Sequence, residues 1–376
     1  MRRRERWEYL SRAPAIAWNL AARGEYRFVF DHMPMAVHGM SWAQRWNMVR
    51  ASLNLGYRRT HAWSWPLHMQ VELASFCNLR CPVCPVGSGD LTRAPQLIDV
   101  GLFERLMSEV GPYLLVNALW AWGEPLLHPQ LESILAITRR YPMVTLVSTN
   151  GQNLNRPSVQ QALRNQPPTF LIVAIDGLCD DTNSVYRRGA KIAPALEGVR
   201  ALADWKVRTG SRLPVLHFRF LVMRQNEHEV PAIRQFAEDA GFDMVSIRSL
   251  SIIDSSETAH RDLIPASSLF QAYQYQGEQR VRRADFVCQH AFSFPTVLAD
   301  GTVVACEQDF NGKQPYGVVS AERSFASVWF GEQAARVRRV VRDDYRQYSS
   351  CTNCPYADRS ASSCSVEGYT LRPVNV

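Results

Sequence analysis

Three cysteines near residue 80 form the first group of side chains that could do chemistry. Cys77, Cys81 and Cys84 lie four and three residues apart, directly after an apolar run that predicts a strand. Three thiolates can hold three irons of a four-iron, four-sulfur cluster and leave the fourth iron without a protein ligand. The alternatives are a zinc site or three unrelated buried thiols, although a structural zinc site normally has four ligands in paired CxxC knuckles.

A second group of cysteines lies more than 200 residues further along the chain. Its members Cys288, Cys306, Cys351 and Cys354 could ligate one complete cluster or one zinc ion, and the softness of the thiolates beside a first cluster favours iron and sulfide. Cys364 follows as a candidate substitute ligand, free thiol or hydrogen-atom donor. Cysteines grouped in this way suit metal ligation in a reducing compartment better than a disulfide framework.

The elements that must position these residues alternate from residue 66 onward. Apolar runs predict strands at 67–74, 114–120, 143–148, 169–175, 215–222 and 243–249. Amphipathic patterns predict helices at 99–110, 130–140, 157–165, 191–206 and 227–240. Strand and helix repeated at this pitch imply a parallel sheet covered by helices. Six such units predict an open, partial (β/α)6 barrel of the TIM type, with functional groups at the carboxyl ends of its strands.

Short polar motifs follow these strands at the expected end. The three cysteines follow the first strand, Gly123-Glu124-Pro125 the second, Ser148-Thr149-Asn150-Gly151 the third and Asp176-Gly177 the fourth. Each motif alone is ordinary turn chemistry. Their shared placement on one rim indicates a single site, because independent turns need not all fall at one end of a sheet.

Together these residues resemble the radical S-adenosylmethionine (radical SAM) enzymes, and the resemblance covers about residues 66–250. It implies that the first three cysteines hold a [4Fe-4S] cluster whose open iron chelates S-adenosylmethionine. It implies that Gly123, Glu124 and Pro125 form the motif that meets the methionine amine of this cofactor. It also implies cofactor contacts for Ser148, Thr149, Asn150 and Arg219. Arg219 has an alternative role as an inward-facing barrel residue paired with an acid.

The chain departs from the pattern of this family at two positions. Many members have an aromatic residue before the third cysteine, where this chain has Val83, and many have a serine two residues before Asp176, where it has Ala174. These departures put individual cofactor contacts in doubt.

The second cysteine group resembles the auxiliary-cluster domains of the same family, called SPASM when they hold two extra clusters and twitch when they hold one. Ser360 stands where a full SPASM domain has a cysteine. The resemblance therefore implies one auxiliary [4Fe-4S] cluster on Cys288, Cys306, Cys351 and Cys354. The expected domains are a helical extension at 1–65, the partial barrel at 66–264 and a small SPASM/twitch domain at 265–376.

The implied activity is cleavage of S-adenosylmethionine to a 5′-deoxyadenosyl radical that takes a hydrogen atom from an unactivated carbon. A second cluster near the substrate suits a two-electron oxidation of an alcohol or amine carbon, whereas a thiol that quenches a carbon radical suits an epimerisation. The expected substrate of either reaction is a small polar metabolite, such as a sugar or a natural-product intermediate. Modification of a ribosomally made peptide is the alternative, and a zinc-stabilised scaffold is the non-enzymatic one. Cys364, Cys179 and Asp176 are the candidate catalytic residues, although Cys179 is also typical of a structural thiol and Asp176 of a helix cap. A flavodoxin or ferredoxin is the expected electron donor.

The positive charge of the protein is concentrated in the first 60 residues. The whole chain has a net charge of +7, and residues 1–60 hold eleven arginines against four acids. Two helices are predicted here, at about 4–22 and 41–58, with a turn-like region between them. The stripe Trp42, Trp46, Val49 and Leu53 either packs on the main domain or forms a surface for an acidic partner or a membrane. No nucleic-acid motif and no convincing secretion signal occur, so a cytoplasmic protein is expected.

Overall fold

The computed structural model describes residues 23–30, 32–252, 260–273, 275–276, 279–281, 286–352, 354–358 and 365–374. The predicted helix at 4–22 lies outside these residues, and so do Ser360 and Cys364. The strands are β1 (Tyr26–Phe30), β2 (Met33–Val37), β3 (His68–Val71), β4 (Val116–Ala118), β5 (Val144–Thr149), β6 (Phe170–Ala174), β7 (Val215–Val222), β8 (Met244–Ser249), β9 (Tyr275–Gln276), β10 (Gln279–Arg280), β11 (Thr296–Val297), β12 (Thr302–Val304), β13 (Pro315–Val318) and β14 (Ser365–Thr370).

The helices lie mainly between these strands. They are α1 (Trp42–Tyr57), α2 (Pro85–Ser88), α3 (Val100–Val110), α4 (Leu131–Thr138), α5 (Pro157–Asn165), α6 (Asp180–Tyr186), α7 (Ile192–Thr209), α8 (Ile233–Ala240), α9 (His290–Ser293), α10 (Phe325–Trp329), α11 (Glu332–Asp344) and α12 (Ser349–Thr352). None of them is long and apolar enough to cross a bilayer.

Strands β3 to β8 pair in chain order, and every neighbouring pair among them is parallel. All five residues of β6 are buried, as expected for a strand covered on both faces. Helix α3 begins at an Asp99 cap, whose carboxylate accepts a hydrogen bond from Leu102 N at 2.7 Å, and it buries one apolar face on the sheet. The predicted partial barrel of six βα units is therefore confirmed.

The C-terminal third of the chain extends the same sheet at both edges. Strand β11 pairs parallel with β3 and continues into the antiparallel strands β12 and β13. Strand β14 pairs antiparallel with β8 at the opposite edge, which gives a ten-stranded sheet. Strands β11 and β14 thus cover the two open edges of the barrel, while β9 and β10 form a separate two-stranded sheet.

A β-hairpin closes the amino end of the barrel, where the sequence predicts only a turn-like region. Strands β1 and β2 pair antiparallel, and Met33, Met35 and Val37 are buried on one side. They pack with the first residues of the barrel strands in one apolar cluster, including Val144 and Phe170. Their alternation with Pro34 and Ala36 is the period-2 pattern of a strand with one buried face.

Helix α1 confirms the predicted helix at 41–58. Of the two alternatives for its tryptophans, the one in which they pack on the main domain is wrong. Trp42 and Trp46 face solvent. The buried face instead carries Gln44, Asn47 and Asn54, whose amides bind backbone groups of the barrel and of the C-terminal region. Most of the carbonyls that these amides bind lie in loops, and they are covered by α1. Polar residues are needed on this face of the helix, because a buried carbonyl without a hydrogen-bond donor costs free energy.

Two differences concern the C-terminal region. The sequence pattern predicts one helix at about 324–340, whereas the structure has two helices, α10 and α11, which are separated at Phe330 and Gly331. A Cβ at Gly331 would lie 2.5 Å from the carbonyl oxygen of Ser327, so only glycine fits this close approach. The sequence also predicts a helical stretch beyond Pro265. The structure instead has a short 3-10 turn at Ser268–Phe270, followed by the two-residue strands β9 and β10.

Candidate active site and second cysteine site

The loop after β3 brings three thiols together. Burial raises the pKa of Cys77 to about 11, with Glu124 adding to the shift, and it raises the pKa of Cys81 to about 12 against the opposing charge of Arg187. Cys84 is coupled electrostatically to both other thiols and is the N-cap of α2. Three convergent soft thiols on one loop fit an iron–sulfur cluster, and its binding must displace their protons.

The Gly123-Glu124-Pro125 motif packs directly against this loop. A Cβ at Gly123 would lie 1.8 Å from the carbonyl oxygen of Ala74, so the two loops approach more closely than any side chain allows. Glu124 N donates a hydrogen bond to the carbonyl of Phe76 at 3.0 Å, directly beside Cys77. The second motif is therefore held one residue away from the first cysteine.

The Glu124 carboxylate joins the motifs after β4 and β5. It is buried and accepts hydrogen bonds from Thr149 Oγ1 at 2.7 Å and from Asn150 N at 2.8 Å. Burial raises its pKa, while these hydrogen bonds oppose the shift. Asn150 Nδ2 then donates to Cys77 Sγ at 3.4 Å and to Asn78 Oδ1 at 2.8 Å. Three motifs from three strands thus form one connected network, with Ser148 half-buried beside it in β5.

Asp176 lies within a buried ion pair. Arg187 Nε lies 2.6 Å from Asp176 Oδ2, and Leu221 N donates to Asp176 Oδ1 at 2.9 Å. Burial raises the pKa of Asp176, and the charges of Arg187 and Arg219 oppose that shift. This placement favours a role in fixing Arg187 beside Cys81, and the nearness of Arg219 to this acid favours its alternative role. Nothing in the sequence beyond its charge singled out Arg187.

Cys179 lies apart from the thiols of the loop. It is exposed at the start of α6, and its Sγ is 3.4 Å from Thr182 Oγ1. It lines an open cavity of about 320 Å³ together with α7 side chains, among them Leu196 and Arg200. The neighbouring Asp180 accepts a hydrogen bond from Ile192 N at 2.8 Å, at the first residue of α7. These contacts favour the structural reading of this segment.

The second cysteine group also converges. The Cys288 thiol interacts electrostatically with the thiols of Cys306, Cys351 and Cys354. Burial is the largest cause that raises the pKa of each of the four thiols, to about 12 for Cys351 and Cys354. Two groups that the sequence did not single out lie beside them. Ligand atoms of His290, Cys306 and Glu307 lie within 4.8 Å of one another. The four thiols fit one closed cluster, and the imidazole and carboxylate leave the zinc alternative chemically open.

Trp122 connects the two cysteine groups. Its carbonyl oxygen lies 3.7 Å from Cys84 Sγ, and its indole Nε1 donates a hydrogen bond to the carbonyl of Glu307 at 2.6 Å, next to Cys306. Its ring also packs edge-on against Phe310. The position of Trp122 directly before Gly123 is the only sequence signal for this contact, because its partner lies 185 residues away.

A buried cation lies behind Cys288. Arg338 is fully buried, with Trp329 and Tyr316 against its guanidinium, and it donates to the carbonyl of Ala291 at 3.1 Å. The N–H of Ala291 lies in turn at the sulfur of Cys288 and lowers the pKa of this thiol. No acid pairs with Arg338 among the residues the structure describes. Arg338 therefore binds Ala291 at its carbonyl, and the N–H on the other side of this residue meets the Cys288 thiol.

Comparison with known families agrees with this geometry. The model of the radical SAM superfamily matches residues 71–237, and the model of the SPASM iron–sulfur cluster-binding domain matches residues 288–355. Residues 71–237 therefore form a radical SAM domain, and residues 288–355 lie in a C-terminal SPASM-type domain. The cofactors of this class are [4Fe-4S] clusters and S-adenosylmethionine, and the thiols described above are the residues that fit the clusters.

Particular relatives are distant. The cofactor-modifying protein of the tungsten-containing aldehyde ferredoxin oxidoreductase of Pyrococcus furiosus is 22% identical over 77% of this chain and 88% of its own length. The PqqA peptide cyclase of Gluconobacter oxydans is 23% identical over about half of either chain, namely 48% and 49%. Among solved structures, Streptococcus suis SuiB bound to S-adenosylmethionine gives a TM-score of 0.59 at 15% identity, covering 86% of this chain and 78% of that one.

Proposed function

We propose that this protein is a radical SAM dehydrogenase that oxidises a C–H bond next to an oxygen or nitrogen of a small polar metabolite. The observation that carries this proposal is Trp122, which lies against Cys84 of the first group and donates a hydrogen bond to Glu307, the neighbour of Cys306 in the second. A short covalent and hydrogen-bonded connection between two redox centres suits a reaction that removes two electrons. An epimerase would need a hydrogen-atom donor instead, and the contacts of Cys179 give it no place beside the three thiols of the loop.

The residues divide the work as follows. When bound, the first cluster would supply the electron for cleavage of S-adenosylmethionine and so the group that takes a hydrogen atom, and an auxiliary cluster would take up one electron as the substrate loses a proton to water. Cys77, Cys81 and Cys84 hold the first group, and Cys288, Cys306, Cys351 and Cys354 hold the second. The backbone at Gly123 and the rim residue Asn150 orient the cofactor beside Cys77. A reducing compartment, and therefore the cytoplasm, is where such thiols remain available to iron.

Peptide maturation is the second candidate function. The relation to a peptide cyclase and the shared fold with SuiB, which has been solved with its precursor peptide at a TM-score of 0.58, favour it. Peptide maturases of this family commonly bind the leader of their precursor with an N-terminal winged-helix domain, whose wing has three strands. Within the described residues the N-terminal segment has only a two-stranded hairpin and α1, so this candidate ranks second. A flavodoxin or ferredoxin remains the proposed electron donor for both candidates.

The test is incubation of the anaerobically purified enzyme with S-adenosylmethionine, a reductant and candidate substrates. Dehydrogenation predicts deoxyadenosine and a product that has lost two hydrogens. A product that has the mass of the substrate in ordinary water and carries one deuterium when the reaction is run in D2O would replace the dehydrogenase by an epimerase. Cys179→Ala and Cys364→Ala, tested separately, would then identify its donor. Turnover of a precursor peptide alone would establish the maturase.

A second measurement tests the role of the auxiliary site. The double variant Cys351→Ala with Cys354→Ala should still cleave S-adenosylmethionine but lose the two-hydrogen oxidation, because the second electron has no acceptor. Unchanged oxidation in this variant would contradict the proposal. Cys179→Ala is the matched control, since this thiol lies outside both cysteine groups.

A further inference from the structure

Helix α1 presents large apolar side chains to solvent along one line. The exposed fractions are 79% for Trp42, 64% for Trp46, 46% for Val49, 48% for Leu53 and 72% for Tyr57. Steps of three and four residues keep all five on one helix face, over a length of about 24 Å. Singly scattered apolar residues are normal on a protein surface, but a continuous stripe marks an interaction site.

The orientation of this helix is fixed by its other face. Gln44 Nε2 donates to the carbonyls of Leu114 at 2.8 Å and Pro142 at 2.7 Å, and Gln44 also closes the capping box with Ser41. Asn54 accepts a hydrogen bond from Trp63 N at 3.1 Å. A rotation of α1 that buried its tryptophans would break these hydrogen bonds inside the protein. The exposed stripe is therefore a built surface and not a loosely placed helix.

The charged side chains within the chain segment that carries the stripe, residues 41–63, are all arginines. Residues 41–63 contain no aspartate or glutamate, whereas they contain Arg45, Arg50, Arg58 and Arg59. The guanidinium of Arg45 lies 5.2 Å from the centre of the Trp42 ring, and that of Arg59 lies 4.0 Å from the Trp63 ring. Indole rings paired with arginines satisfy both an apolar and an anionic phase at once.

We propose that the α1 face, defined by Trp42, Trp46, Val49, Leu53 and Tyr57, docks on the surface of an anionic lipid bilayer. Tryptophan and tyrosine concentrate at the boundary between headgroups and acyl chains, and arginines beside them are attracted to anionic headgroups. The face is the outer side of one helix and hence a convex ridge. A ridge enters a lipid interface readily, whereas an acidic peptide is better received by a groove.

This docking would leave the cysteine rim accessible. The carbonyls of Leu114 and Pro142 that hold α1 lie just before β4 and β5, at the amino end of the barrel. The thiols of Cys77, Cys81 and Cys84 follow β3 at the carboxyl end. A protein bound through α1 would thus turn its candidate active site away from the lipid surface, toward substrates and electron donors in solution.

The experiment is co-sedimentation of the anaerobically purified full-length enzyme with two kinds of vesicle. One kind contains phosphatidylglycerol in phosphatidylcholine, and the other contains phosphatidylcholine alone. We expect binding to the anionic vesicles that weakens as salt is raised. The double variant Trp42→Ser with Trp46→Ser should bind at least about tenfold more weakly, because each ring contributes the burial of a large apolar side chain. Val207→Ser is the matched control, since Val207 is 81% exposed on α7.

The melting temperature of each variant completes the test. Exposed side chains predict an unchanged melting temperature for the Trp42 and Trp46 variant. The proposal would be wrong if the double variant had a clearly lower melting temperature and the original protein did not bind vesicles. That result would mean that another part of the chain covers the α1 face. It would also be overturned by equal vesicle binding of all variants, by a dimer that the double variant abolishes, or by binding of an acidic peptide in place of vesicles.

Discussion

Single side chains in this protein act through the groups behind them. Glu124 is buried, yet it organises the candidate active site because its two oxygens accept from Thr149 and Asn150, and Asn150 reaches Cys77. Arg338 likewise acts on a thiol indirectly, because its hydrogen bond to the carbonyl of Ala291 helps to hold the residue whose N–H meets Cys288. Groups of this kind tune a metal centre as strongly as its own ligands do.

The buried charge of Arg338 predicts a shift in redox potential. Arg338→Met removes a buried positive charge that is hydrogen-bonded to Ala291, the residue whose N–H meets Cys288, so reduction of a cluster held by the second cysteine group should become less favourable by tens of millivolts. The measurement is a redox titration of both clusters, followed by electron paramagnetic resonance. The first cluster should keep its potential. Arg338→Lys retains the charge and should recover most of the shift, and equal potentials in all three proteins would contradict this role.

His68 predicts a pH dependence of stability. The imidazole stacks on Phe28 and meets Phe294 edge-on, and burial together with the charge of His290 lowers its pKa from 6.5 to about 4. Between about pH 6.5 and pH 4, His68 therefore binds a proton in the unfolded chain but not in the folded protein. The free energy of unfolding consequently decreases as the pH falls through this range. The loss between pH 7 and pH 5 should reach up to about 2 kcal/mol in the free energy of unfolding.

Denaturant unfolding of the original protein and His68→Phe at both pH values tests this expectation. The phenylalanine keeps the aromatic packing and has no proton to bind, so its free energy of unfolding should fall less on acidification. Parallel losses in the two proteins would assign the pH dependence to other groups.

At the scale of elements, the fold was predictable where one rule dominates. Strands β3 to β8 are apolar runs buried on both faces, so their sequence and their burial coincide. The N-terminal hairpin was missed because Pro34 is typical of a turn, whereas a proline is also tolerated in a strand of a small two-stranded sheet. For the tryptophan stripe of α1 the sequence left two alternatives, because apolar periodicity normally marks the buried face. The structure has the exposed alternative, and the buried face of α1 carries amides that bind carbonyls.

The candidate site divides in the same way. The rim motifs were accessible from the sequence because each directly follows a strand. The contact of Trp122 with Glu307, the pair of Arg187 with Asp176 and the position of His290 were not, since each depends on two segments that only the folded chain brings together.

The anchoring of α1 predicts a large effect from a polar residue. Gln44→Ala removes the capping box and two hydrogen bonds to buried carbonyls, which should lower the free energy of unfolding by about 2–4 kcal/mol. Gln235→Ala on α8 is the control, because its amide binds only the exposed side chain of Asp239 and should cost under about 0.5 kcal/mol. Thermal unfolding of both variants measures the difference, and similar losses would argue against this anchoring.

At the scale of the whole molecule, the two cysteine groups predict a metal content. Two complete four-iron clusters give about eight irons and eight sulfides per chain. The double variant Cys351→Ala with Cys354→Ala should retain about four of each, and so should the triple alanine variant of Cys77, Cys81 and Cys84. Iron and sulfide assays after anaerobic reconstitution measure this. One zinc per chain, with the iron confined to the first group, would show that the second group holds zinc.

The position of strand β14 in the chain affects folding during synthesis. It covers the edge of β8, yet the ribosome makes it more than a hundred residues after β8 has been completed. At ordinary rates of synthesis this interval lasts on the order of ten seconds. During that time β8 offers unpaired backbone groups to any neighbouring nascent chain, which is the situation in which chaperones shield a growing polypeptide. Translation speed through the segment between β8 and β14 is therefore a determinant of how much of this protein reaches its native state.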